Sequence, residues 1–246
     1  MKILCVIPAR YASTRLWGKP LADIAGKPMI QRVYERACLA KRPSEVLVAT
    51  DDKRVYDVMQ ACGGKVMMTS ADHPTGTDRL AEVAGAYPDV DLIINVQGDE
   101  PLIEPKVIDD LAAAFDTDEE LHMATVMTTM GKEEQAEPGN VKVVTDKNGY
   151  ALYFSRSVMP YPRVDTGVPV YKHIGIYAYK REFLLHYAKM EPTPLEKTES
   201  LEQLRALENG YKIKVITTEF KFIGVDTAKD LEVVNQIYQK KGGKIL

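Results

Sequence analysis

The stretch Ala9-Arg10-Tyr11-Ala12-Ser13-Thr14-Arg15-Leu16-Trp17-Gly18-Lys19-Pro20 gathers three cations, two aliphatic hydroxyls and a glycine directly after an apolar run. Polyphosphate is held by such a set: a guanidinium offers a planar fork, an ammonium a point charge, and the loop its backbone amides. A solvated loop with ordinary surface cations fits the same composition. Gly18-Lys19 and Gly26-Lys27 are each followed by proline rather than Ser or Thr, so neither is a P-loop, and no G-x-G-x-x-G is present.

Three other groups carry possible chemistry. In Asn95-Val96-Gln97-Gly98-Asp99-Glu100-Pro101, Asp99 is the kind of carboxylate that holds Mg2+ beside phosphate oxygens, although an acid capping a following helix fits as well. In Gly224-Val225-Asp226-Thr227-Ala228-Lys229-Asp230, Thr227 and Asp230 form a capping-box pattern, which explains the acids without any chemistry. From Val170 to Tyr179 the residues alternate, with Ile174, Ile176 and Ala178 on one face. That leaves His173 and Tyr177 facing away from the apolar side, where a pocket is expected, though a strand histidine is more often a packed or surface residue.

These residues need elements to bring them together. Ile3-Leu4-Cys5-Val6-Ile7, ended by Pro8, is the pattern of a strand buried on both faces of a parallel sheet. Val46–Thr50, Val66–Met68 and Leu92–Val96 repeat it. Between them the spacing predicts a helix opened by Pro28 and a second capped by Asp51 or Asp52 and stopped at Gly63-Gly64. A third is predicted from about Asp78 to Ala86. The alternation predicts an α/β fold, a Rossmann-like, mostly parallel sheet with flanking helices and ligands beyond the carboxyl ends of its strands. Those ends are the loops Pro8–Lys19, Thr50–Asp52, Thr69–Arg79 and Gln97–Pro101. Asp89-Val90-Asp91 has the letters of the Asp-x-Asp metal motif of glycosyltransferases but precedes its strand, the wrong end for a site.

After about residue 120 the rhythm changes. Val141–Thr145 and Tyr150–Ser155 flank Asn148-Gly149, a tight hairpin turn. A helix is predicted from about Pro194 to Asn209, a strand over Lys212–Thr218, and a terminal helix from near Thr227. This part reads as a smaller mixed α+β lobe. No repeat or linker separates the parts, so 1–246 is expected to be a single domain with lobes at approximately 1–120, 121–220 and 221–246, the last returning to the main lobe.

The chain has 246 residues, 45% hydrophobic and 27% charged, with a net charge of −3. That balance lacks the basic excess of a dedicated nucleic-acid binder, and no apolar stretch approaches the ~20 residues of a membrane span. The three cysteines, Cys5, Cys38 and Cys62, form no C-x-x-C pair, and their odd number argues against a disulfide framework. Met1–Pro8 is too short for a signal peptide. A cytoplasmic protein is expected.

The groups occur together in a pattern that resembles the acidic-sugar cytidylyltransferases: Ile7-Pro8-Ala9-Arg10, Ser13-x-Arg15-Leu16 and Gly18-Lys19-Pro20-Leu21. Ala71-Asp72-His73-x-x-Gly76-Thr77-Asp78-Arg79, Asn95–Pro101, Tyr150–Arg156, His173-Ile174-Gly175-Ile176-Tyr177, Leu201-Glu202-Gln203-Leu204-Arg205 and Gly224–Thr227 resemble the 3-deoxy-manno-octulosonate (KDO) cytidylyltransferases, in order and over essentially the whole chain.

The resemblance implies transfer of CMP from CTP to KDO for lipopolysaccharide synthesis, with Mg2+ as cofactor and a homodimeric assembly. It implies a first lobe that binds nucleotide and a second that binds sugar and dimerises. Arg10, Lys19, Asp99 and Asp226 would be catalytic, with Mg2+ on Asp99 and Asp226. Ala9, Arg10, Ser13, Arg15, Lys19, Gly76, Thr77, Arg79 and Gln97 would bind the nucleotide. Gln97, Arg156, His173, Tyr177, Glu202 and Gln203 would bind an acidic eight-carbon sugar. Trp17 departs from the pattern, standing where the family's loop usually carries proline, a residue that would fix one φ angle. Pro169-Val170-Tyr171-Lys172-His173 also resembles the branch that handles 8-amino-KDO. The alternatives are therefore the same reaction on 8-amino-KDO or another acidic sugar, or a non-catalytic CTP-binding regulator.

Overall fold

The computed structural model describes residues 1–12, 16–164 and 166–242. It divides into two compact units, one built from Met1–Asp109 and the described residues from Phe222 on, the other from Asp110–Lys221.

The first unit begins with β1 (Ile3–Ala9), buried along nearly its whole length. The basic loop ends in a single 3-10 turn at Lys19–Leu21. A short ribbon, β2 (Asp23–Ile24) and β3 (Lys27–Pro28), leads to α1 (Met29–Ala37). Then come β4 (Glu45–Thr50), α2 (Lys53–Ala61), β5 (Val66–Met68), α3 (Gly76–Ala86), β6 (Leu92–Asn95) and α4 (Pro105–Ala113), within which the division between the units falls. Strands β6, β1, β4 and β5 lie side by side in that order, all parallel, with Cys5 opposite Ile94 and Val46. The unbroken apolar runs follow from this, because central parallel strands carry helices and present no face to water. α1 packs on β1 and β4, α2 on β4 and β5, and α3 on β1 and β6. Capping sets two of the helix starts: Asp52 accepts the Arg54 amide at 2.9 Å for α2, and Thr75 with Asp78 forms a capping box for α3.

The second unit holds β7 (Met123–Thr129), α5 (Lys132–Gln135), β8 (Lys142–Thr145), β9 (Ala151–Ser155), β10 (Tyr171–Lys180), α6 (Arg181–Tyr187), α7 (Pro194–Glu199), α8 (Leu204–Glu208) and β11 (Ile213–Thr217). β7 lies between β11, which runs parallel to it, and antiparallel β10. The β8–β9 hairpin joins through β8 to β10. Its turn is held by Asp146 Oδ1, which accepts the amides of Asn148 and Tyr150, both at 2.8 Å, with Gly149 at φ 77°. The chain then returns to the first unit as α9 (Ala228–Lys240), capped by Thr227 and Asp230. Among the described residues no helix is long and apolar enough to cross a membrane.

One expectation is corrected here. The helix predicted from Pro194 to Asn209 is broken into α7 and α8, because Ser200 takes a left-handed conformation at φ 50°. The face of β10 that carries His173 and Tyr177 is half-buried and lined by aromatic rings. Tyr179 is buried, and rings run in sequence from Phe154 through His173, Tyr177 and Tyr179 to Tyr187, at centroid separations of 5.0, 5.4, 5.7 and 6.2 Å.

Candidate active site

Lys19 opens the turn after the basic loop, behind Gly18, whose φ of 69° places it in the left-handed region. The Gly18 amide donates to the Tyr11 carbonyl at 3.3 Å, closing the loop at its base. The Arg54 guanidinium lies 3.4 Å from the centre of the Tyr11 ring, and Trp17, which is 72% exposed, meets that ring edge-on. From this base the Lys19 ammonium reaches Asp99 Oδ2 at 2.6 Å and Asp226 Oδ1 at 2.9 Å.

Local backbone fit makes that convergence possible. Asp99 follows β6 through Gly98, where an added Cβ would sit 2.8 Å from the Pro8 carbonyl oxygen. Only a residue without a side chain lets this loop approach the end of β1 so closely. The Val225 amide donates to the Asp99 carbonyl at 2.9 Å, tying the two acidic loops together. The Asp226 amide donates to the Asp230 carboxylate at 3.2 Å, so the helix cap also seats the acid that precedes it. Burial works against the Lys19 charge, but attraction and hydrogen bonds from Asp99 and Asp226 outweigh it and raise its pKa.

The Lys19 side chain is 13% exposed, while Asp99 and Asp226 are 32% and 43% exposed. Two hard oxygen donors are thus gathered around a cation, with their outer sides open. That donor chemistry fits Mg2+, which takes one or two carboxylates and completes its shell with phosphate and water oxygens. Among the described residues no group of three or more His, Cys, Asp or Glu is placed to hold a metal, so substrate and solvent would have to complete such a shell.

The remaining nucleotide candidates in this unit are placed as follows. Ala9 is buried at the end of β1 opposite Thr50. Arg10 donates through Nη2 to the His73 carbonyl. Ser13 and Arg15 lie outside the described residues. Gly76 opens α3 on its exposed side, and Thr77 behind it is buried. Arg79 is fully buried and donates to Asp51 at 2.6 Å and to the Thr69 hydroxyl, so its guanidinium is turned into the protein and braces two strand-end loops. Gln97 is partly buried in the β6 loop, where its carbonyl accepts the Glu100 amide at 3.2 Å.

The sugar candidates lie in the second unit. Arg156 donates to three carbonyls, those of Glu199 at 2.7 Å, Pro138 at 3.0 Å and Ser200 at 3.2 Å. The Glu199 carboxylate in turn accepts the Ser155 hydroxyl at 2.6 Å and the Arg156 amide at 3.0 Å. This clamp holds the left-handed turn at Ser200, and Glu202 and Gln203 follow it. The Tyr187 hydroxyl donates to the Glu202 carbonyl at 2.6 Å. Gln203 is buried, and its Nε2 has no hydrogen-bond partner among the described residues. His173 Nε2 lies 3.0 Å from the Thr125 hydroxyl, which itself donates to the Ile176 carbonyl at 2.8 Å in the β10 bulge. Burial pushes the His173 imidazole down to about 3 and the Tyr177 phenol well up, the latter helped by Glu202.

Sequence reasoning passed over Thr125 and Glu199, which hold groups of the sugar set, and Glu82, which pairs with His73; it read Asp51 as a possible helix cap, whereas Asp52 caps α2 and Asp51 receives Arg79. A hydroxyl inside the apolar run Met123–Met127 was the visible sign of Thr125. Glu82, four residues beyond Asp78, carries the matching helical spacing.

Comparison with known proteins places the chain in a family. The family described as Cytidylyltransferase matches residues 4–213. A 3-deoxy-manno-octulosonate cytidylyltransferase of Fusobacterium nucleatum subsp. nucleatum is 55% identical over 239 residues, covering 96% of this chain and 97% of that protein. One of Geobacter metallireducens is 54% identical, with 95% and 96% covered. A solved CMP:2-keto-3-deoxy-manno-octonic acid synthetase complexed with CTP superposes with a TM-score of 0.94 at 47% identity, covering 98% of this chain and all of that one. A 4-diphosphocytidyl-2C-methyl-D-erythritol synthase from Anaerococcus prevotii, 15% identical with a TM-score of 0.64, shares the fold alone. With this identity running along almost its entire length, the chain belongs to the 3-deoxy-manno-octulosonate cytidylyltransferase family.

Proposed function

We propose that the chain transfers CMP from CTP to the anomeric hydroxyl of KDO, giving CMP-KDO and pyrophosphate and so activating the sugar for lipopolysaccharide assembly. The observation that carries the proposal is the convergence of Lys19, Asp99 and Asp226 at the end of the basic loop, in a chain related throughout to enzymes of that name. The hydroxyl oxygen forms a bond to the α-phosphorus and gives up its proton to solvent. The bond from that phosphorus to the bridging oxygen breaks, and its electron pair leaves with pyrophosphate. The residues position the reactants and offset charge.

Lys19 and Arg10 face the charge that moves onto pyrophosphate. Asp99 and Asp226 would hold Mg2+, which when bound neutralises phosphate charge and lowers the pKa of the attacking hydroxyl. Gly76, Thr77 and Gln97 would take the nucleoside, with Arg79 bracing their loop from behind. In the sugar site the buried Gln203 amide has donors to offer an acidic sugar. Arg156 donates three of its five N–H groups to carbonyls among the described residues, and the other two would face a carboxylate. His173, kept neutral by burial, supplies a hydrogen bond rather than a charge. We place the enzyme in the cytoplasm as a homodimer, following the family.

The test is pyrophosphate release with each of the four nucleoside triphosphates against KDO and 8-amino-KDO, with and without Mg2+. CTP with KDO and Mg2+ is expected to be the productive combination. Faster release with 8-amino-KDO would reassign the sugar, and binding of CTP without release under any condition would make the chain a regulator.

A further inference from the structure

Asp78, Arg79 and Glu82 project from α3, and each holds a different section of the loop from Thr69 to Thr75. Arg79 donates to the Thr69 hydroxyl. Glu82 Oε2 accepts the Ser70 amide at 2.9 Å and is paired with His73 Nε2. Asp78 accepts the Thr75 amide at 3.0 Å and its hydroxyl at 2.7 Å. Ser70, Ala71, Asp72 and Pro74 are exposed. Within the loop the Asp72 amide donates to the Ser70 hydroxyl at 3.1 Å, and Glu82 is the α3 side chain that ties this middle section to the helix. Burial works upward on the Glu82 pKa, but hydrogen bonds from His73 and the Ser70 amide outweigh it and hold the group below the usual range, so the carboxylate stays ionised. The loop so fixed presents the His73 carbonyl, and Arg10 is seated on that carbonyl.

We propose that Glu82 is a positioning residue for nucleotide binding: through His73 it sets the carbonyl that seats the Arg10 guanidinium, and so sets the reach of Arg10 toward the triphosphate. This rests on the reading of Arg10 as a phosphate-binding residue given above. A long cationic side chain gives up rotamer freedom when it binds an anion. One already seated on a fixed carbonyl gives up less, so the seat acts as preorganisation.

The test is a double-mutant cycle in which KM for CTP, KM for KDO, kcat and the unfolding midpoint are measured for Glu82→Ala, Glu82→Gln, Arg10→Ala and the double variant Glu82→Ala/Arg10→Ala. Glu82→Ala is expected to raise KM for CTP by roughly 5- to 20-fold through lost preorganisation while leaving KM for KDO within about twofold. Glu82→Gln keeps an acceptor oxygen for Ser70 and His73 and should stay near the parent enzyme. Adding Glu82→Ala to Arg10→Ala should change KM for CTP no further. If the two effects multiply instead, Glu82 does not act through Arg10 and the proposal is overturned, while Arg10 remains a phosphate residue. If Arg10→Ala leaves KM for CTP unchanged, the reading of Arg10 fails and the proposal with it. If Glu82→Ala lowers the unfolding midpoint and raises both KM values together, its role is structural and the proposal is wrong. Should Glu82→Ala not fold, His73→Ala in the same cycle carries the comparison, because it cuts the link to the loop and leaves α3 intact.

Discussion

At the residue scale, the site turns on one ammonium held by two carboxylates. Lys19→Ala removes the cation proposed to face the triphosphate and leaves Asp99 and Asp226 without their shared partner, so CTP affinity should fall. Asp99→Asn keeps the shape but removes a charge, and turnover should drop on the order of 100-fold or more while the fold survives, a loss of the size seen when one charge-stabilising group is taken from an active site. Near-normal turnover at limiting Mg2+ would remove Asp99 from metal binding. The pH dependence follows from the raised Lys19 pKa. While its carboxylate partners are ionised, the Lys19 contribution is complete below the unfolded lysine value of about 10.4 and is lost as pH rises through the higher folded value, which sets its alkaline limit. Lys19 and Asp99 could be read from the sequence because cations and an acid stood at the ends of predicted strands. Asp226 could not be separated from its capping role by residue type alone, and the structure has it serving in both settings, beside the cap and beside Lys19. Arg79 was legible as a cation but not as a buried one, since the Asp51 and Thr69 that receive it lie far away in sequence.

At the element scale, the parallel strands and their helices were legible because burial on both faces leaves an unbroken apolar run, and because Asp52 and Thr227 cap where capping residues are expected, whereas α3 starts two residues before the expected Asp78, behind Thr75. The break between α7 and α8 was not. Nothing in Thr198-Glu199-Ser200-Leu201 forbids a helix; the left-handed Ser200 is held by Arg156, a residue from β9's end. The same physics of close approach gives a prediction at Gly98. Gly98→Ala puts a methyl 2.8 Å from the Pro8 carbonyl, and overpacking of this kind costs about 1–3 kcal/mol. Urea unfolding should show that loss, and because the strain falls beside Asp99, kcat should fall further than stability alone explains. A fully active Gly98→Ala enzyme would show that the loop has room to move.

At the scale of the whole molecule, the cysteines offer a measure of integrity. Cys5 is buried in β1, and burial pushes its thiol far above the usual range, whereas Cys38 and Cys62 are exposed. A colorimetric thiol reagent should titrate two groups in the native protein and the third only on unfolding, because the thiolate is the reactive form. Fast reaction of all three would mean that β1 opens readily. The partition of the chain carries a consequence in time as well as in space. Lys19 is joined to Asp99 across 80 residues and to Asp226 across 207, and the whole of Asp110–Lys221 lies between the two aspartates. A ribosome must therefore complete the entire second unit before it delivers the carboxylate that finishes the site in the first. Contacts this distant are paid for by loop closure and form slowly. A chain that ends before Asp226 lacks one of the two carboxylates proposed to hold the metal, so truncations short of that residue are expected to be inactive.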